Sequence, residues 1–335
     1  MRIATYNVEW FYALFDDADQ LVRDNAWSAR YKVTRAAQAD ALGVVFRALD
    51  ADAVMVVEAP DTNGKRSAIR ALRSFADTYM LRTREVVSGF ANDTRQEIAL
   101  LYDPDALTVS HSPFPGQGNI PRFDGVFGID LDIDATKDEV RFSKPPLELE
   151  AVTAAGFAFR MIGVHLKSKA PHGATSPQEA TKIAIANRRK QLAQAIWLRA
   201  RIDQVLAAGH PLMVMGDLND GPGLDIFEEL FGRSSVEIVL GAADAPRLFD
   251  PHAARVLSHR FGPVPTTSRF WIKPEERYLQ ALLDYIMVSS DLRALDPQWR
   301  IWHPLDDPAC WSDAALRDAL VTASDHFPVT VDLPI

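Results

Sequence analysis

The sequence predicts a mixed α/β fold in a single domain. Short apolar runs of strand length alternate with longer runs of helical period, and several strand-like runs are apolar enough to be buried on both faces. The polar residues that end those runs come from both halves of the chain, so a cut into two domains would divide them. Residues 1–335 are therefore read as one domain.

Taken in order, the first strand is expected at about 2–6 and ends on Asn7. A long connection, 8–33, rich in aromatics and charge, leads to a helix near 34–49. The run VMVVE makes a strand at 52–58 ending on Glu58, followed by a helix near 64–77 and strands at 97–102 and 106–110. Residues 112–146 form a second long connection, and both are candidate rims or lids because long loops of compact domains often touch substrate. Strands at 147–153 and 157–164 lead to His165. The longest helix, near 178–208, is entered through Ser176-Pro177 with Glu179 in its first turn and stops at Gly209. A strand at 211–216, helices near 223–231 and 312–320, and strands at 283–288 and 327–333 complete the pattern. No linker tract, solenoid repeat or heptad series interrupts it.

The chain has 335 residues, 47% hydrophobic and 24% charged, the balance of a globular protein with a sizeable core. It enters a strand-like run at once, without a signal-peptide pattern, and no run is long enough to span a bilayer, so a cytoplasmic location is expected. Cys310 is the single cysteine, which excludes an intrachain disulfide and a zinc-thiolate site; its plain reading is a small apolar filler. Acidic residues outnumber basic ones by 45 to 36, a net charge of −9 that draws in no polyanion globally. Arg95, Arg141, Lys144, Lys167 and Lys169 nevertheless lie beside the polar strand ends, and a local patch can hold phosphate on an acidic protein. No feature calls for an obligate protein partner.

The strand tips carry the chemistry. In PLMVMGDLND, period two places Asp217 and Asn219 on one face: a carboxylate to accept a proton from water and an amide to fix that water or a phosphate oxygen. The plain reading is a strand-end Asx turn. In TASDHFPVTVDL, Asp325 suits Mg²⁺ or Mn²⁺ and His326 a departing oxygen, against a plain turn cap. Glu58 is the simplest metal ligand on offer, and His165, just ahead of Lys167 and Lys169, fits an imidazole over a phosphate. A solvated strand end and a satisfied core histidine are the respective alternatives. Asp284 lies within an apolar strand, where a charge needs a partner, so it is expected to orient a histidine, and Glu97 to do the same.

Other features read more plainly. DLDIDATKDE, 130–139, lacks the glycine of an EF-hand loop and alternates like a strand. NRRK, 187–190, is expected on the solvated face of the long helix, opposite Ile185, Leu192 and Ile196. Trp10, Phe11, Tyr12, Phe270 and Trp271 could stack on a base or sugar, with packing as the default. His111, His172, His210, His252, His259 and His303 have no comparable setting.

The order Asn7, Glu58, His165, Asp217-Leu218-Asn219, Asp284 and Asp325-His326 resembles the endonuclease/exonuclease/phosphatase superfamily, which includes deoxyribonuclease I, exonuclease III-type repair enzymes, inositol polyphosphate 5-phosphatases and neutral sphingomyelinases. The resemblance spans nearly the whole chain, with GDLN and the terminal SDH its most specific parts. It implies a four-layer α/β/β/α sandwich, two mixed β-sheets packed face to face with the site at one rim. It further implies Glu58 as main divalent-metal ligand, Asn7 as a metal-water or phosphate contact, Asp217 as the residue that orients or deprotonates water, and Asn219 as its partner. By the same token Asp325 is a metal ligand or a histidine-supporting acid. His165 and His326 are implied to stabilise the phosphate and leaving group, with Glu97 and Asp284 holding them. Lys144 stands where deoxyribonuclease-like members usually offer arginine, and VEAP lacks the frequent glutamine before the acid. His165 in place of asparagine leans toward the deoxyribonuclease and sphingomyelinase branches.

These readings converge on a Mg²⁺- or Mn²⁺-dependent hydrolase using in-line attack of water on phosphorus, with Lys144, Lys167 and Asn7 on the phosphate and nucleic acid as the expected substrate. A small phosphoester or lipid headgroup is the alternative, and an inactive binding module on the same scaffold is the third reading.

Overall fold

Alternation of side chains along the central strands sets the layering. In β1 (Arg2–Asn7) Ile3 faces one core while Ala4 and Tyr6 face another, and in β2 (Ala53–Ala59) Met55 opposes Val54 and Val56 in the same way. The computed structural model describes residues 1–92, 94–131, 138–224, 232–258, 263–272 and 276–335. Together with β3 (Glu85–Ser88), β4 (Glu97–Tyr102), β14 (Gln298–Ile301) and β15 (Val329–Asp332), β1 and β2 form a six-stranded sheet in the order β14-β15-β1-β2-β4-β3. A five-stranded sheet, β13-β10-β9-β8-β5, is built from β5 (Leu107–His111), β8 (Leu147–Thr153), β9 (Ala158–His165), β10 (Leu212–Asp217) and β13 (Asp284–Val288). Both sheets are mixed: β1 runs parallel to β2 and β9 to β10, and the other pairs are antiparallel.

The two sheets pack face to face through Ile3, Met55, Leu100, Met161, Met213, Met215, Ile286 and Val331. They approach closely where Gly163 of β9 meets Met55, since a Cβ on Gly163 would lie 2.4 Å from the Met55 sulfur. Helices α1 (Arg35–Leu49), α2 (Ala68–Tyr79) and α8 (Ala314–Ala323) cover the outer face of the six-stranded sheet, and α3 (Pro177–Ala207) covers the five-stranded one. The result is a four-layer α/β/β/α sandwich.

Every strand expected from the sequence forms. The helix expected from residue 64 starts at Ala68, because Ser67 caps it by accepting the Arg70 N–H. The one expected at 312–320 splits at Asp313, which ends α7 (Pro308–Ser312) and caps α8 through the Leu316 N–H. Elements without an expectation from the sequence are short: the edge strands β3 and β14, the hairpin β6 (Phe127–Ile129) with β7 (Asp138–Val140) inside the 112–146 connection, the hairpin β11 (Ser268–Ile272) with β12 (Arg277–Ala281), and helices α4 (Ser235–Leu240), α5 (Pro251–Leu257) and α6 (Ser290–Arg293). Three to seven residues show too few repeats of a period to stand out. Residues 225–231 of the helix expected near 223–231, 132–137 of the acidic run, and His259 lie outside the described residues. Among the described residues no helix is long and apolar enough to cross a membrane.

Candidate active site

Strand register brings the acids and histidines to one rim. Asp217 at the end of β10 is the register partner of His165 on parallel β9 and of Asp284 on antiparallel β13. From the opposite sheet, β1 delivers Asn7, β2 delivers Glu58, and the segment before β15 delivers His326. Two hydrogen bonds then cross between the sheets: Asn7 Nδ2 donates to Asp217 Oδ2 at 3.0 Å, and His326 Nδ1 to Asp284 Oδ2 at 2.7 Å. The Nε2 atoms of His165 and His326 lie 3.8 and 3.9 Å from the same Asp217 oxygen.

The backbone around these groups is specialised. Glu58 and Asn219 hold left-handed φ values of 61° and 51°, and the β2–β4 register shifts at Glu58. The turn at Asn219 lets its N–H reach Asp217 Oδ1 at 2.7 Å while its amide donates to Asp217 Oδ2 and to the Leu166 carbonyl. Gly216 has φ 134°, and a Cβ there would lie 2.1 Å from the Val164 carbonyl oxygen, so only glycine allows β10 to approach β9 at this point. The Ser324 hydroxyl donates to the Asn7 carbonyl and accepts the His326 N–H, which ties the SDH segment to β1.

Burial acts alike on the charged groups, and their partners then separate them. Burial pushes the Asp217 carboxyl up to about 7, with the His326 charge opposing and Asp284 adding to the rise. His165 is driven well below its usual range by burial and by the Lys144 ammonium, which sits 3.2 and 3.4 Å from its ring nitrogens. Burial also opposes the charged form of His326, but the Asp284 carboxylate overrides it and holds the imidazolium well above the usual range. Lys144 is itself lowered by burial, against the attraction of Glu58 and Asp217.

Donor chemistry fits a hard divalent cation on the Glu58 side. Asn7 Oδ1 is buried without a hydrogen-bond donor, and burial pushes the Glu58 carboxyl up. Glu58 Oε2 accepts the Trp10 N–H at 3.0 Å and Gln96 Nε2 at 2.5 Å. Carboxylate and amide oxygens are the ligands Mg²⁺ and Mn²⁺ take. Asp217, Asp284 and His326 also cluster, with ligand atoms within 4.8 Å of one another. There, however, Asp284 Oδ2 is engaged by His326 Nδ1 and by the Thr267 hydroxyl at 2.8 Å, so Thr267, Asp284 and His326 form a hydrogen-bonded relay beside Asp217.

Other expected site residues have different settings. Asp325 acts electrostatically on Glu58, and its carbonyl accepts the Arg269 N–H. Lys167 lies near enough to His165 and Lys144 to depress both. Glu97 is a correction: its carboxylate accepts the Thr62 N–H at 2.8 Å and the Thr62 hydroxyl at 3.1 Å, so it anchors the loop after β2 and not a histidine. Burial pushes Glu97 up to about 7. NRRK is a second correction, because Arg188 is wholly buried and paired with Asp220, while Ile185 is exposed.

Sequence reasoning missed the supports. Gln191, wholly buried on α3, donates through Nε2 to the carbonyls of Lys167 at 2.9 Å, Leu218 at 3.3 Å and Asn219 at 2.9 Å. It clasps the segments that follow His165 and Asp217. Thr267, which accepts the Leu283 and Asp284 N–H groups and donates to the Asp284 carboxylate, does the same for the relay. Gln96 supports Glu58 from the entry of β4, next to Glu97.

A sequence model of the Endonuclease/Exonuclease/phosphatase family matches residues 4–326. No curated protein matches the chain in sequence. In structure it is similar to truncated TDP2 from Caenorhabditis elegans, at 12% identity over 98% of this chain and 96% of that one, with a TM-score of 0.50. It is also similar to a mannosyl-6-phosphatase from Bacteroides thetaiotaomicron, at 14% identity over 100% of both chains, with a TM-score of 0.51. At such identities the likeness is one of fold.

Proposed function

The chain belongs to the endonuclease/exonuclease/phosphatase family, whose members act on phosphoester bonds, and from that premise we propose that it is a Mg²⁺- or Mn²⁺-dependent phosphodiesterase of nucleic acid. The proposal takes the whole chain as one catalytic domain, working in the cytoplasm without an obligate protein partner. One observation carries it: Asp217 is held by Asn7 from the opposite sheet, with His165 and His326 facing the same oxygen at 3.8 and 3.9 Å.

In this reading Asp217, poised near neutrality, takes the proton of the attacking water while Asn219 and Asn7 fix its oxygens. His165, kept neutral, hydrogen-bonds a phosphoryl oxygen, with Lys144 and Lys167 supplying positive charge beside it. His326, kept charged by Asp284, gives its Nε2 proton to the departing oxygen. Glu58, with Asn7 Oδ1 and Asp325, would hold the cation, which when bound neutralises charge on the phosphate.

The test is a substrate panel of plasmid, single-stranded DNA, RNA, bis(p-nitrophenyl) phosphate, inositol phosphates, sugar phosphates and sphingomyelin, each with Mg²⁺, Mn²⁺ or EDTA. Metal-dependent consumption of nucleic acid is expected, and failure to cleave any phosphodiester would overturn the proposal. A second reading, a small phosphoester, is favoured by Lys144, a point charge without the bidentate fork of arginine, and by the net charge of −9. A mannosyl-6-phosphatase shares the fold, so the fold does not choose between them. Salt does: a polyanion substrate loses affinity steeply as salt rises, and a compact one only modestly.

A further inference from the structure

Trp10 lies at the rim beside Glu58 in a conformation that packing does not explain. Its φ of 57° and ψ of 42° are left-handed, a region unfavourable to any residue with a Cβ. The neighbouring Phe11 and Leu14 are wholly buried, yet Trp10 is 41% exposed. Its N–H is spent on the Glu58 carboxylate, so the backbone that turns the indole outward is fastened to the proposed cation ligand.

Two further groups complete a surface. The Tyr12 ring meets Trp10 edge-on, with centroids 6.3 Å apart and an interplanar angle of 80°. The Arg95 guanidinium stands 5.7 Å from the Tyr12 centroid, and the residue after it, Gln96, donates to the same Glu58 oxygen that Trp10 uses. Among the described residues Arg95 has no carboxylate partner. An exposed indole, a perpendicular phenol and an exposed guanidinium next to a phosphate site are the elements of base recognition by stacking, with the cation available to a neighbouring phosphate.

We propose that Trp10, Tyr12 and Arg95 form a stacking subsite for the nucleobase adjoining the scissile phosphodiester. The proposal rests on the nucleic-acid reading of the catalytic site and names the part of the substrate that this rim reads. Stacking is tolerant of base identity, so the subsite senses that a base is present and not which one.

The experiment compares cleavage of a short oligothymidylate with that of the same backbone carrying tetrahydrofuran abasic residues, by wild type, Trp10→Ala and Trp10→Phe, with the melting temperature of each variant recorded. Wild type is expected to prefer the base-bearing strand by roughly ten-fold or more in kcat/KM, Trp10→Ala to lose that preference, and Trp10→Phe to recover part of it. Equal cleavage of both strands by wild type, or a preference that survives in Trp10→Ala, overturns the subsite and leaves the nuclease reading standing. A wild-type enzyme that cleaves neither strand while hydrolysing a small phosphoester overturns both.

Discussion

His165 and His326 are buried to a similar degree and face the same Asp217 oxygen from nearly equal distances, yet they are driven to opposite charge states. His165 stands on the five-stranded sheet with an ammonium against its ring; His326 reaches across from the other sheet to a carboxylate. Burial disfavours both imidazolium ions, so the partner decides. A site with one neutral and one charged imidazole about a single carboxylate has a hydrogen-bonding end and a proton-donating end before any substrate arrives.

Removing the shared reference should have the largest effect. Asp217→Ala is expected to lower kcat by roughly 10²- to 10⁴-fold, the scale for a positioned base, in steady-state assays on whichever substrate the panel identifies. Next is Asp284→Asn, which keeps the shape of the relay but removes the charge that holds His326 protonated. We expect a loss in kcat of about 10²-fold, with the alkaline limb of the pH profile moved to lower pH. The sign for stability follows from the raised value of His326: the pair's contribution is complete below its unfolded pKa of 6.5 and is lost as pH rises through the higher folded one. The stability gap between wild type and Asp284→Asn, measured by urea unfolding, should therefore be widest at acidic pH and narrow toward alkaline pH. A gap that widened with pH would contradict the assignment.

The smallest effect is structural and falls on the segments that follow His165 and Asp217 on the five-stranded sheet. Gln191→Leu leaves the carbonyls of Lys167, Leu218 and Asn219 without their donor, at a cost of roughly 1–3 kcal/mol in urea unfolding. The His326 side, tied through Ser324 to Asn7, should keep its titration unchanged.

The asymmetry also marks what a sequence can disclose. Asn7, His165 and Asp217 stand out because each ends an apolar run that would otherwise continue; the period-two pattern pairs Asp217 with Asn219, but the strand stops at Asp217 and it is the left-handed turn at Asn219 that brings the two together. Such a break says that a polar group has a partner, without saying which: Asp284 has its histidine, whereas Glu97, equally conspicuous, serves Thr62. Gln191 and Arg188 left no signal because polar residues on a long helix read as solvated until α3 is docked on the GDLND loop. The left-handed backbone at Trp10 and Glu58 is equally silent, since neither residue type favours it and only the surrounding hydrogen bonds impose it.

The comparison is tested most directly by a histidine ¹⁵N NMR titration of the metal-free protein from about pH 5 to about pH 9. His326 should remain doubly protonated through neutral pH while His165 remains neutral, and Asp284→Asn should abolish the difference by lowering His326. Two imidazoles titrating together near their ordinary value in the wild-type protein would contradict the account.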